Sequence, residues 1–83
     1  MNVTLKLFAT LSDHLPAAGH GNSITLPLPD GTTVQQAIDR LNLPPQLVHL
    51  VLVNGVYVAP PQRPERRLQE GDVLAIWPPV AGG

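Results

Sequence analysis

The sequence predicts an α+β fold, in which one main helix packs on one face of a small mixed sheet. Three observations support this prediction. The chain has 83 residues, which is the size of a single domain. Several short stretches alternate apolar with polar residues or are continuously apolar, as β-strands are. Residues 34–41 instead repeat their apolar side chains at the spacing of an α-helix.

Two strands are predicted before the helix. The first is "VTLKLF" at residues 3–8, with an apolar face formed by Val3, Leu5 and Leu7. The second is "SITLPLP" at residues 23–29, with a similar face formed by Ile24, Leu26 and Leu28. Pro27 cannot donate a hydrogen bond to a neighbouring strand, so we expect this strand at a sheet edge. The residues between the strands are expected to form an exposed loop, with one helical turn before Pro16.

The helix has the clearest signals in the chain. Asp30-Gly31 predicts a turn. Thr33 followed by Gln36 has the spacing of a capping box, in which hydroxyl and amide satisfy free backbone donors. The apolar stripe that follows consists of Val34, Ala37, Ile38 and Leu41. Because the two prolines at 44–45 cannot continue a helix, we expect about two to three turns with one face to bury.

Three strands are predicted after the helix. In "HLVLVNGVYV", Asn54-Gly55 lies between β-branched runs, which is a strong hairpin signal. The unbroken "LVLV" indicates a strand that is covered on both faces or lies in the sheet interior. A proline-rich loop, "APPQRPERR", separates this hairpin from a last strand at Val73–Trp77. A small sheet packed against a single helix, with two strands before the helix and three after it, predicts the ubiquitin-like β-grasp fold.

The composition excludes several classes of function. Five Lys and Arg residues against six Asp and Glu residues give a net charge of −1, so no basic field favours nucleic acid or an anionic membrane. No apolar run approaches the roughly 20 residues of a membrane span, and the N-terminus has no signal-peptide pattern. The chain has no cysteine, which excludes disulfides and fits a cytoplasmic protein.

Catalytic side-chain patterns are missing from the sequence. The three histidines, His14, His20 and His49, show no metal-ligand spacing and are interpreted as loop or surface residues. Neither a serine-nucleophile context nor a glycine-rich phosphate loop is present. We therefore predict that the chain is not an enzyme and holds no metal or cofactor.

One small cluster of positive charge lies in the proline-rich loop. It consists of Arg63, Arg66 and Arg67. The simpler interpretation is a solvated loop that happens to be basic. The alternative is an electrostatic contact with an acidic partner.

The last six residues, "PPVAGG", run from two prolines through two small apolar residues to two glycines, and this order suggests a function. Pro78-Pro79 fixes two φ angles, so the chain should leave the last strand as a short extended rod. Val80-Ala81 continues it with small apolar groups, and Gly82-Gly83 could thread a channel too narrow for a Cβ atom. We therefore divide the chain into a domain, residues 1–77, and a flexible tail, residues 78–83.

The sequence resembles the MoaD/ThiS family of ubiquitin-like sulfur carriers over nearly its whole length. The resemblance is carried by "VTLKLFATL", by "LPDGTTVQQAIDRL", and by "VLVNG" followed by "LQEGDVLAIWPPVAGG". It implies that Gly83 is the reactive residue and Gly82 its required neighbour. The first strand and the ending resemble the molybdopterin synthase small subunit, whereas the spacing over residues 54–68 is more similar to that of ThiS.

The resemblance also implies a mechanism and partners. An E1-like adenylating enzyme of the MoeB or ThiF type would use ATP to adenylate the Gly83 carboxylate, and a sulfur donor would convert it to a thiocarboxylate. The tail would then insert into a large subunit of the MoaE type to supply sulfur for molybdopterin. Two alternatives stay open: a carrier for thiazole synthase or another sulfur-transfer route, and a ubiquitin-like modifier or interaction module.

Trp77 precedes the two prolines and is the single tryptophan of the chain. Strand alternation places it with Val73 and Ala75. It is either the end of the core or part of an apolar docking surface, and we favour docking because aromatic residues are enriched at the centres of interfaces. The residues predicted to contact a partner are Trp77, Pro78, Pro79, Val80 and Ala81.

Overall fold

The computed structural model describes residues 1–14 and 22–79. Within these residues the chain forms one five-stranded sheet and one α-helix. The strands are β1 (Asn2–Leu7), β2 (Ser23–Pro27), β3 (Leu50–Val53), β4 (Val56–Tyr57) and β5 (Val73–Trp77). The helix is α1 (Val34–Arg40), and single 3₁₀ segments occupy Ala9–His14, Pro45–Leu47 and Pro60–Gln62.

The sheet is mixed and has the order β2-β1-β5-β3-β4. Its two central strands, β1 and β5, pair in parallel, with Leu5 opposite Leu74 and Leu7 opposite Ile76. The other three pairings are antiparallel. This arrangement confirms the predicted α+β class and β-grasp architecture.

The hydrophobic core lies between α1 and one face of the sheet. Val34, Ala37 and Ile38 of the helix are buried in it, and Leu41 is half-buried against it. The predicted helical stripe is therefore confirmed. From the sheet, the core receives alternate residues of the three inner strands: Val3, Leu5, Leu7, Val51, Val53, Leu74 and Ile76.

Helix α1 begins at the predicted capping box. The Thr33 hydroxyl accepts the Gln36 amide N–H at 3.2 Å, and the Gln36 side-chain oxygen accepts the Thr33 N–H at 2.9 Å. The helix has seven residues, about two turns, and ends before Asn42, which has a φ of 53°. Left-handed backbone at this position ends the helix earlier than the prolines require.

The two predictions about strand environment had different outcomes. Strand β2, which contains Pro27, lies at an edge of the sheet as expected. Strand β3 lies between β5 and β4, so its interior position in the sheet is confirmed. Cover on both faces is not, because Val51 and Val53 are buried whereas Leu50 is 36% exposed. One helix can cover only one face of such a sheet.

The Asn54-Gly55 turn joins β3 to β4 as predicted. Its φ angles are 51° and 81°, which is the left-handed pair that a two-residue hairpin of type I′ requires. The Asn54 side chain also reaches β5: its Nδ2 donates to Asp72 Oδ1 at 2.9 Å, and its Oδ1 accepts the Val73 N–H at 2.9 Å. The turn therefore anchors the start of β5.

The structure of the proline-rich loop corrects the interpretation of one arginine in the cluster, Arg63. Arg66 and Arg67 are exposed, as a solvated loop requires. Arg63 is only 7% exposed, and its guanidinium donates to two backbone carbonyls, those of Val58 and His49. It is therefore not a solvated loop residue. Buried backbone carbonyls outside helices and strands still need hydrogen-bond donors, and Arg63 supplies donors to two of them.

Candidate functional site

The candidate site lies where β5 ends and the tail begins. Strand β5 alternates, with Leu74 and Ile76 in the core and Val73, Ala75 and Trp77 on the face that points away from α1. This confirms the predicted grouping of Trp77 with Val73 and Ala75. Trp77 is half-buried and is not part of the core cluster beneath the helix.

Trp77 stacks on Phe8. Their ring centroids are 4.0 Å apart and their planes differ by 2°. The contact follows from the parallel pairing of β1 with β5, which sets Leu7 beside Ile76 and so brings the next residue of each strand together. The Phe8 N–H also donates to the Ile76 carbonyl at 3.1 Å. Stacked aromatic pairs stabilise a fold by about 0.5–1.5 kcal/mol beyond the area that they bury.

The aromatic pair continues into an apolar surface on β3 and β4. Leu50 is opposite Trp77, and Leu52 lies between Ala75 and Tyr57. Leu50 and Tyr57 are 36% and 52% exposed. We call this surface the outer patch and define it as Phe8, Leu50, Leu52, Tyr57, Ala75 and Trp77. Ala75 is buried, and Phe8, Leu52 and Trp77 are half-buried. A contiguous, partly exposed apolar surface of this kind is typical of contact surfaces for other proteins.

The tail leaves the sheet at one border of the outer patch. The Trp77 carbonyl accepts a hydrogen bond from the His49 N–H at 3.1 Å. Pro78 is buried and Pro79 is exposed. The remaining predicted site residues, Val80, Ala81, Gly82 and Gly83, lie outside the described residues. The division between domain and tail at residue 77 stays a prediction.

The described residues hold no other arrangement that points to side-chain chemistry. Among residues 1–14 and 22–79, no three His, Cys, Asp or Glu residues come together as metal ligands would. His49 is exposed, and its backbone N–H and carbonyl form hydrogen bonds with the Trp77 carbonyl and with Arg63. His20 lies outside the described residues. No helix in the described part of the chain is both long and apolar enough to cross a membrane.

Sequence reasoning identified Trp77 and Ala75 but not the other four members of the outer patch, which are Phe8, Leu50, Leu52 and Tyr57. Alternation along the first strand puts Phe8 on the same side as Thr4 and Lys6 and does not predict its stacking with Trp77. Leu50 and Leu52 belong to the apolar run "LVLV", which predicts a strand that is covered on both faces or lies in the sheet interior and does not by itself predict a contact surface. Alternation could have found Phe8 and Leu50, because it places them opposite the core residues Leu7 and Val51.

Comparison with protein families gives one match over nearly the whole chain. The model of the ThiS family matches residues 5–83, which includes the last strand and the diglycine. Sequence comparison with curated proteins gives no match.

Several solved structures have a similar fold. The crystal structure of SAMP1 from Haloferax volcanii is 27% identical, with a TM-score of 0.70 and full coverage of both chains. The solution structure of the Haloferax volcanii HVO 2177 protein is 28% identical, with a TM-score of 0.73 over 100% of this chain and 87% of that one. A chain of the complex of subunits 1 and 2 of molybdopterin-converting factor from Helicobacter pylori 26695 is 20% identical, with a TM-score of 0.66 and full coverage of both chains.

Proposed function

Because the chain belongs to the ThiS family of ubiquitin-like sulfur carriers, we propose that Gly83 carries sulfur as a C-terminal thiocarboxylate. The observation that carries the proposal is the family match, which runs through the outer patch and the tail to residue 83. We further propose that the sulfur serves molybdopterin synthesis. The ending "PPVAGG" and the long first strand support that assignment.

The proposed reaction takes place at the terminal carboxylate and needs no side chain of this protein. A Gly83 carboxylate oxygen attacks the α-phosphorus of ATP, so that pyrophosphate leaves and an acyl-adenylate forms. A hydrosulfide ion, HS⁻, released by a sulfur donor then attacks the Gly83 carbonyl carbon, AMP leaves with its electron pair, and loss of the sulfur-bound proton gives the thiocarboxylate. The activating enzyme binds the ATP, and this chain supplies the carboxylate. With no cysteine in the sequence, no internal thiol competes for the activated carbonyl.

The outer patch gives the proposed partners a surface beside the tail. We propose that Trp77, with Phe8 and Leu50, docks an E1-like adenylating enzyme first and a synthase large subunit afterwards. Pro78 and Pro79 would then direct Val80, Ala81 and Gly82 into the partner's active site. The Helicobacter pylori relative lies in a complex of two subunits of molybdopterin-converting factor, which supports a partner of that kind.

A second function is favoured by one observation. A further relative, 25% identical with a TM-score of 0.68, is named small archaeal modifier protein 1 of Haloferax volcanii. The same activated Gly83 carbonyl could be attacked by an amine of another protein, with loss of AMP and formation of an isopeptide bond. Carrier and modifier share the adenylation step and differ in the nucleophile that follows it. A carrier for thiazole synthase would differ from both in the acceptor of the sulfur.

Intact-mass analysis tests the proposal directly. The chain is incubated with an E1-like adenylating enzyme, ATP and a sulfur donor, and the expected product has one carboxylate oxygen replaced by sulfur at Gly83. A chain that lacks Gly83 is the control and should gain nothing. A wild-type chain that stays unmodified with activating enzymes of both the MoeB and ThiF types contradicts the proposal, as does a label on a side chain. An isopeptide product in place of the thiocarboxylate supports the modifier.

A further inference from the structure

The last backbone hydrogen bond on β5 lies directly before the tail. Toward β1, the last one joins Phe8 N–H to the Ile76 carbonyl, and toward β3 it joins His49 N–H to the Trp77 carbonyl, each at 3.1 Å. The next two residues are prolines and have no N–H to donate. Among the described residues, the His49 contact is therefore the final main-chain hydrogen bond that orients the peptide from which Pro78 leaves the sheet.

His49 itself lies outside regular secondary structure. It follows the 3₁₀ segment Pro45–Leu47 and precedes β3, which begins at Leu50. Its N–H is used by Trp77, and its carbonyl accepts a hydrogen bond from Arg63 Nη2 at 3.2 Å. Residue 49 is thus held on one side by β5 and on the other by the buried arginine.

Arg63 is fixed from several directions. Its Nε donates to the Val58 carbonyl at 3.3 Å, and its own carbonyl accepts the Gln35 N–H of α1 at 2.9 Å. Its N–H bonds to the carbonyls of Ala59 and Pro60. A guanidinium is a rigid planar donor, so two of its nitrogens can hold two carbonyls in a set geometry. Arg63 therefore connects α1 and the proline-rich loop to residue 49.

The chemistry at Arg63 differs from that of an ordinary buried ion pair. Within residues 1–14 and 22–79, no carboxylate lies within 4 Å of its guanidinium, and its hydrogen bonds go to carbonyls. Burying a charge without a counter-charge is unfavourable. An uncharged side chain that filled the same space would avoid this cost. Packing alone therefore does not explain an arginine at this position, and its hydrogen-bond donors must contribute.

We propose that Arg63 is a positioning residue for the tail. By holding the His49 carbonyl it fixes residue 49, whose N–H fixes the Trp77 carbonyl and hence the direction in which Pro78 leaves β5. This inference rests on the proposed function, because direction matters when Gly83 must reach an adenylation site on a partner docked at the outer patch. Arg63 is not a member of that patch and acts through backbone carbonyls.

The experiment compares Arg63→Met and Arg63→Lys with the wild-type chain. Met keeps the length of the side chain and removes its donors, whereas Lys keeps the charge and one compact donor group. The kcat and KM for Gly83 adenylation are measured with an E1-like enzyme and ATP, and amide hydrogen exchange is measured at His49 and Val51. Arg40→Met is the matched control for loss of an arginine. Thr33→Ala is the control for loss of stability, because it removes the helix cap and leaves residue 49 untouched.

We expect Arg63→Met to lower kcat about tenfold to a hundredfold, because small errors in the placement of a reacting group cost that much. The KM should stay within about twofold, since the outer patch is intact and only orientation is lost. The His49 amide should exchange faster relative to Val51. Arg63→Lys should recover part of kcat, and Arg40→Met and Thr33→Ala should behave as wild type.

Two results overturn the positioning role while the proposed function stands. One is a kcat for Arg63→Met that equals the kcat of the wild-type chain, measured where the wild-type chain itself is adenylated. The other is an equal loss of kcat in Thr33→Ala, which would show that stability alone is responsible. A wild-type chain that gains neither AMP nor sulfur overturns the proposed function, and with it any role for Arg63 in that reaction.

Discussion

The two faces of the sheet differ in burial although the same strands form them. On the inner face, Leu5, Leu74 and Val51 are fully buried beneath α1. On the outer face, their neighbours include a stacked Phe8–Trp77 pair and a partly exposed Leu50. Both faces carry apolar side chains, but only the inner face is covered by the helix. The difference teaches that apolar side chains need not serve the same purpose on both faces: those of the inner face stabilise the fold, and those of the outer patch form the surface that we propose for a partner.

The largest effect on stability is expected on the inner face. Ile38 is 6% exposed and lies in the helical stripe. Ile38→Ala should lower the free energy of unfolding by roughly 2–5 kcal/mol, because it removes buried methyl groups and leaves a cavity. Urea denaturation measures this free energy of unfolding. Gln36 is exposed but is not a suitable control position, because its side chain caps the helix. A cost near zero would mean that the two faces do not differ in this way.

Trp77→Ala should separate stability from binding. The loss of the stack with Phe8 should cost about 1 kcal/mol of stability, in addition to the loss of the apolar area that the half-buried indole removes from water. Affinity for the activating enzyme or the synthase subunit should fall by about 2 kcal/mol or more, as at a central aromatic of an interface. Calorimetric titration of the folded variant measures the affinity. A strong shift in unfolding with unchanged affinity would assign Trp77 to the core.

Leu50→Ser tests the outer patch at a position that contributes less to stability. Because Leu50 is 36% exposed and therefore buries about two-thirds of its side chain, the free energy of unfolding should fall by about 1–2 kcal/mol, less than for Ile38→Ala. Partner affinity should still fall, since Leu50 is opposite Trp77 in the sheet. Val56→Ser is the matched control, because Val56 is 67% exposed and lies outside the patch. Equal losses of affinity in the two variants would place the contact surface elsewhere.

Deletion of Gly83 should have the smallest effect on stability and the largest on function. A terminal residue makes few contacts, so the melting temperature should stay that of the wild type. Sulfur transfer should be abolished, because the carboxylate would end one residue short. Gly82→Ala should be impaired less completely, through its added Cβ in a narrow channel. Mass spectrometry after activation distinguishes the three chains. Sulfur transfer by the Gly83 deletion would contradict the terminal carrier.

Local patterns were enough to predict most of the fold. Alternation identified β1, the capping-box spacing identified the start of α1, and Asn54-Gly55 identified the hairpin. In each case the signal lies within a few residues of the structure it specifies. The tail residues of the candidate site are predicted in the same way, from the order of residues after Trp77 and the resemblance of the ending to a known family, and their role stays a prediction.

The features that could not be predicted depend on contacts between distant residues. The Phe8–Trp77 stack exists because the first and last strands lie side by side in parallel, and no local pattern reports that pairing. The burial of Arg63 depends on carbonyls of Val58 and His49. Backbone acceptors have no side-chain signature, so a buried arginine that uses them is indistinguishable in sequence from a solvated one.

The central position of β5 has a consequence for folding kinetics. Strands β1 and β2 pair with each other, as do β3 and β4, and β5 joins these two pairs. The sheet therefore stays in two pieces until the most C-terminal strand inserts between them, a non-local step of the kind that slows folding. A nascent chain would reach its final topology only after β5 has been synthesised. The step that completes the sheet also forms the Trp77 contacts at the root of the tail, so an incompletely folded chain would not present its terminus to an activating enzyme in the native orientation.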